Sequence, residues 1–167
     1  MRIRYIAQLG ALIALVMASI GMVSADVELR QTRDFANQGA QEQQAGRAML
    51  LMFSGEGCRF CTVVEEDFLK PMMRSGDYDE LVSMHKVHLS SRTRLTDFDG
   101  QPTSGRELAE RYGVFVMPTV VFVDGQGQEV AERRVGLMTE AYYGGYLDDS
   151  IREALRNIRQ HEQVSAR

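Results

Sequence analysis

The chain has 167 residues, a formal net charge of −4 at neutral pH, no tryptophan and two cysteines. That length suits one domain with its own core, and the acidic balance offers no basic face of the kind nucleic-acid binding requires. Two cysteines are too few for a secreted scaffold held together by disulfides.

Residues 1–25 read as an export signal. Arg2 and Arg4 precede an uncharged, mostly apolar run from Tyr5 to Ala25, which closes on the small residues Val23-Ser24-Ala25 before Asp26. Left uncleaved, such a run is long enough to anchor the chain in a membrane facing the periplasm. Gln8, Gly10, Ser19 and Gly21 dilute it and favour cleavage, which leaves residues 26–167 as a single domain in the periplasm.

Asp34 to Arg47, polar and rich in Gln and Ala, predicts an exposed helix. Ala48-Met49-Leu50-Leu51-Met52-Phe53 is apolar throughout, the pattern of a central strand buried on both faces. Val63, Val64, Phe68, Met72 and Met73 recur at helical spacing, predicting a helix from Arg59 to Met73 that Pro71 bends or ends. A short helix over Asp77 to Val82 follows, then a strand over Met84 to Ser90. Ser91 to Ser104 is polar and reads as the longest loop, with a turn at Asp99-Gly100-Gln101-Pro102. Ser104 stands three residues before Glu107, a capping-box spacing that opens a helix ending near Gly113. Val120 to Val123 is a strand, Asp124-Gly125-Gln126-Gly127 a hairpin turn and Glu129 to Val135 a further strand. Thr139 to about Arg159 closes the chain as an amphipathic helix. Ala141, Tyr142, Tyr146, Leu147, Ile151, Leu155 and Ile158 are available for its inner face.

Both cysteines lie in Cys58-Arg59-Phe60-Cys61, after the flexible Ser54-Gly55-Glu56-Gly57, where the first strand gives way to a helix. Cys58 then caps a helix N-terminus, where unpaired N–H groups and the helix dipole favour a thiolate. In such settings a cysteine pKa falls from about 8.5 toward 7 or lower. Stability explains the pair poorly, because a disulfide closing so short a loop constrains the unfolded chain very little. Zinc explains it poorly too: a structural site wants four ligands, and His85 and His88, three apart in a strand, face opposite ways. A redox pair remains. Arg59, if its guanidinium reaches Cys58, would further stabilise the thiolate.

Met117-Pro118-Thr119 is the second chemical feature, since proline is tolerated at a strand's first residue and excluded from its middle. The order CxxC at a strand-to-helix turn, helix, Pro-Thr, apolar strand and glycine-turn hairpin resembles the thioredoxin superfamily over a core of about residues 48–158. Thr96-Asp97-Phe98-Asp99-Gly100 ahead of Glu107-Leu108-Ala109-Glu110-Arg111-Tyr112-Gly113 is similar to exported, SoxW-type periplasmic thioredoxins. The resemblance implies an α/β fold, a central mixed β-sheet of about four to five strands flanked by helices. It implies a cis Pro118 beside the Cys58–Cys61 disulfide, with Arg59, Phe60, Met117 and Pro118 lining a substrate groove. It also implies thiol-disulfide exchange with Cys58 and Cys61 as catalytic residues and no metal or cofactor besides their redox-active disulfide.

Two departures accompany it. Thioredoxins carry Trp before the first cysteine and Gly-Pro within the motif, where this chain has Gly57 and Arg59-Phe60. They also bury an acid six residues before the first cysteine to assist deprotonation of the second, where this chain has Met52; Glu65 and Glu56 are the candidate replacements. The expected activity is reduction of disulfides in exported client proteins, with electrons from a membrane thiol donor of the DsbD or CcdA kind. The alternatives are a disulfide oxidase or isomerase, and a non-enzymatic module that binds copper through the cysteines and methionines.

Overall fold

The computed structural model of the chain describes residues 27–90 and 92–165. The expected signal segment, residues 1–25, lies outside the described residues. Among the described residues no helix is long and apolar enough to cross a membrane.

Helix α1, Phe35–Ala45, begins where the Asp34 carboxylate accepts the Asn37 N–H at 2.9 Å. It ends at Gly46, whose φ of 65° suits a residue without a side chain. β1, Ala48–Ser54, is buried at every position. It pairs in parallel with β2, Val82–His88, and antiparallel with β5, Thr119–Val123. β5 also pairs with β6, Arg134–Val135, giving a four-stranded mixed sheet in the order β2-β1-β5-β6. The expected α/β fold is thus present.

The sheet separates two cores. On one face Leu50, Met52, Val64, Leu69, Phe122, Leu147 and Ile151 pack beneath the cysteine-bearing helical run and α5, Glu140–Ser165. On the other, Phe35, Met49, Leu51, Phe53, Leu108 and Val121 pack beneath α1 and α4, Gly105–Arg111. β1 supplies alternate residues to both, which is why its sequence is continuously apolar.

The helical run after the cysteines is continuous but not uniform. α2, Arg59–Val63, leads into a π segment, Val64–Leu69, and then α3, Lys70–Ser75. Pro71 therefore does not end the helix before Met73. Its missing N–H and its ring would disrupt a regular i→i−4 ladder, and the wider π turn just before it takes up that mismatch. Residues 77–81 form turns rather than the expected short helix, with the Leu81 and Val82 N–H groups both donating to the Tyr78 carbonyl, at 2.9 and 3.0 Å. This turn feeds straight into β2, which starts at Val82.

Three other expectations are corrected. The polar stretch 91–104 holds a small hairpin of β3, Arg94–Thr96, and β4, Pro102–Ser104, instead of being loop throughout. The strand expected over Glu129–Val135 is reduced to Arg134–Val135, with an isolated bridge between Val123 and Glu129. In α5, Tyr143 and Ala154 turn inward, whereas Ala141, Tyr142 and Tyr146 are exposed.

The N-terminal stretch runs along the outer edge of β2, where the Arg30 N–H donates to the Met84 carbonyl at 3.2 Å and the Lys86 N–H donates to Arg30 at 2.9 Å. Beside it, fully buried His85 contacts the Thr32 hydroxyl through Nδ1 at 2.7 Å and the Ser83 hydroxyl through Nε2 at 2.8 Å.

Candidate active site

Cys58 stands at the end of the turn that leaves β1, in extended backbone, capping α2. Its Sγ accepts the Cys61 N–H at 3.2 Å and is bonded to the Cys61 sulfur. Cys58 is half-buried and Cys61 is only 2% exposed. The two sulfurs are therefore unequal in access, because one caps the helix and the other lies on its inward face.

A hollow of about 350 Å³ adjoins the disulfide, lined by Cys58, Arg59, Cys61, Lys86 and His88 among others. Lys86 and His88 reach it because residues two apart on β2 share a face, whereas His85 belongs to the opposite one. Among the described residues no group of three or more His, Cys, Asp or Glu side chains could hold a metal ion.

Of the two carboxylates considered for Cys61, Glu56 is exposed in the turn and Glu65 is buried. Glu65 lies four residues beyond Cys61, at the start of the π segment, and its carboxylate accepts from the Lys86 ammonium at 2.5 Å. Lys86 escaped sequence reasoning altogether, since a lysine in an edge-ward strand carries no signal without its partner. Met52 is fully buried in the core and offers no acid.

The peptide bond between Met117 and Pro118 is cis. Pro118 is buried, and the Thr119 hydroxyl donates to the Val116 carbonyl at 2.7 Å, fixing the loop that enters β5. The Met117 thioether lies against Gly55: a β-carbon there would sit 2.8 Å from its sulfur. The proline loop and the cysteine turn are thereby in contact, as a shared groove requires. Exposed apolar side chains cluster in these two segments, Phe60 at 59% and Phe115 at 88%, with Val116 and Met117 beside them. Phe115 and Val116 were not among the expected groove residues; two large apolar residues just before Met-Pro were the available signal. Arg59 is exposed and lines the hollow.

The chain is similar to several solved structures. DsbH oxidoreductase is 20% identical over 79% of this chain and 88% of its own, with a TM-score of 0.54. A thioredoxin-fold protein from Helicobacter pylori is 24% identical over 71% and 85%, with a TM-score of 0.49. Fasciola hepatica thioredoxin is 22% identical over 75% and 99%, with a TM-score of 0.48. No curated protein sequence matches the chain. The family described as thioredoxin-like domain matches residues 35–151. Because that match takes in α1, the cysteine pair and every strand of the central sheet, the chain belongs to the thioredoxin-like domain family.

Proposed function

We propose that the protein is a periplasmic thiol-disulfide oxidoreductase that reduces disulfides of exported client proteins, with Cys58 as nucleophile and Cys61 as resolving thiol. The observation that carries this reading is the unequal access of the two bonded sulfurs, one at a helix tip and one buried.

The reaction runs from the dithiol. The Cys58 thiolate, held by the Cys61 N–H and the helix N-terminus, attacks a client disulfide, forming a mixed disulfide and releasing one client thiolate. The Cys61 thiol then passes its proton to the Glu65 carboxylate and attacks the Cys58 sulfur. This displaces the second client thiolate, which is protonated, and leaves Cys58 and Cys61 joined. Two electrons have moved from the protein to the client. A membrane thiol donor of the DsbD or CcdA kind restores the dithiol. The SoxW-like stretch Thr96–Gly100 spans the turn between β3 and β4, outside the central sheet.

The test is insulin reduction by dithiothreitol. The mature protein should accelerate it and Cys58→Ala should abolish the acceleration. No acceleration, with stoichiometric binding of Cu(I) instead, would overturn the reading in favour of a copper module.

A further inference from the structure

Among the described residues that line the hollow of about 350 Å³ beside the disulfide, Arg59, Lys86 and His88 are basic and none is acidic. In a chain whose formal net charge is −4, that local sign runs against the whole. The exchange steps above give no task to Arg59 or His88.

The topology brings these groups together. β1 and β2 run parallel and end at the same edge of the sheet, where His88 stands opposite Ser54, the last residue before the cysteine turn. Lys86 and His88, two apart on β2, share the face that meets the cysteine-bearing helical run, and Arg59 opens α2 directly after Cys58. Their charge is only partly neutralised. The Lys86 ammonium donates to Glu65 at 2.5 Å and has two further N–H groups. Arg59 and His88 are exposed, and neither side chain makes a hydrogen bond or ion pair within the described residues. Glu56 lines an adjoining hollow of about 370 Å³ that shares Lys86 and His88, and Arg33 stands there with it.

We propose that this hollow selects anionic low-molecular-weight disulfides, compounds with a carboxylate a few bonds from the sulfur, as substrates of the Cys58–Cys61 pair. The proposal rests on the thiol-disulfide reading above. A small molecule is the occupant because the N-terminal stretch already covers the outer edge of β2, through the Arg30–Met84 and Lys86–Arg30 bonds, and leaves no edge there for an extended polypeptide. The volume falls in the range of small-ligand sites, about 300–1,000 Å³. The proline loop, with its exposed apolar residues, enters β5 on the other side of β1. In the reaction the Cys58 thiolate attacks one sulfur of the small disulfide and the other leaves as a thiolate. Cys61 passes its proton to Glu65 and displaces the second thiolate, and both products are protonated from solvent. Two electrons pass from the dithiol to the small disulfide, while Arg59, His88 and Lys86 hold its carboxylate by charge-assisted hydrogen bonds.

The experiment measures how fast the pre-reduced protein is oxidised by dithiodipropionate, hydroxyethyl disulfide or cystamine, which are anionic, neutral and cationic. Acid quench and alkylation count the remaining thiols. Each rate is divided by that of mercaptoethanol with the same disulfide, which removes the disulfide's own reactivity. The normalised rate should be highest for dithiodipropionate, about tenfold above hydroxyethyl disulfide, and lowest for cystamine, with the preference shrinking as salt is added. Arg59→Gln combined with His88→Gln should lower the anionic-to-neutral ratio to near one, and Arg59→Lys, which keeps the charge, should retain it. Because both disulfides meet the same thiolate, the ratio is blind to any change in Cys58 reactivity. A parent ratio of one or less, or a ratio undiminished by the double replacement, overturns the anionic preference while oxidation by hydroxyethyl disulfide upholds the redox reading. Failure of all three disulfides to oxidise the protein overturns that reading and the preference with it.

Discussion

Glu65 and Lys86, from the cysteine-bearing helical run and from β2, form a buried-to-surface ion pair at 2.5 Å, one helical turn beyond Cys61. Lys86 also lines the hollow beside both sulfurs. If Glu65 takes the Cys61 proton, Glu65→Gln should lengthen the life of the mixed disulfide by tenfold or more, within the roughly 10²–10⁴ that positioned proton transfer contributes. The first attack by Cys58 should keep its rate. Rapid-quench resolution of the two steps measures this, and equal slowing of both would assign Glu65 a structural role only.

Trapping separates the two sulfurs. Cys61→Ser should accumulate mixed disulfides with client proteins, seen as bands that collapse on reduction, because the more accessible Cys58 still attacks and nothing resolves the product. Cys58→Ser should not, since Cys61 is buried. The reverse pattern would exchange their roles.

His85 predicts a stability change with pH. Burial, with a smaller push from the Arg30 charge, lowers its pKa from the usual 6.5 to about 4. The folded state therefore holds the ring neutral where the unfolded chain would protonate it. Its stabilising contribution is complete above pH 6.5 and is lost as pH falls toward 4, by up to about 3 kcal/mol at 1.36 kcal/mol per unit. Urea denaturation at pH 7 and pH 5 should show this loss, and His85→Gln should flatten it.

Two glycines should respond differently to alanine. At Gly105 a β-carbon would stand 2.0 Å from the His88 carbonyl oxygen, a backbone atom that cannot yield, so Gly105→Ala should cost about 3 kcal/mol or more. At Gly55 the obstacle is the flexible end of Met117, so Gly55→Ala should cost less than about 1 kcal/mol while displacing Met117 and raising KM for protein clients. Thermal melts and insulin kinetics distinguish them.

The central strand, the cysteine turn and the Pro118 entry to β5 were legible because each has a strong local cause: an unbroken apolar run, a half-turn of glycines before CxxC, and a ring that strands exclude. What escaped was set by distant partners. Glu65, Glu66 and Asp67 look alike in sequence, and only the phase of the π segment decides that Glu65 is buried while its neighbours are exposed. Tyr142, Tyr143 and Tyr146 share one hydropathy, so the sequence could not say that packing against Phe68 selects Tyr143. The β3–β4 hairpin lacks apolar alternation, and its position is fixed by Asp97, buried beneath the Arg111 guanidinium, and by a bridge from Asp34 to Thr96. Between Glu129 and Val135 the pairing with β5 is interrupted: Glu129 bridges Val123 and the Val130 N–H donates to the Phe122 carbonyl at 2.9 Å, while only Arg134 and Val135 pair with it as a strand.

Reduction of clients in an oxidising compartment requires a dithiol that is a strong enough reductant, and the equilibrium potential of the Cys58–Cys61 pair reads this directly. Titrated in dithiothreitol or glutathione buffers with the two sulfurs followed by alkylation, the pair should show a potential near thioredoxin's, about −270 mV. A value near that of DsbA, about −120 mV, would contradict the account and make the protein an oxidase of the same thiols.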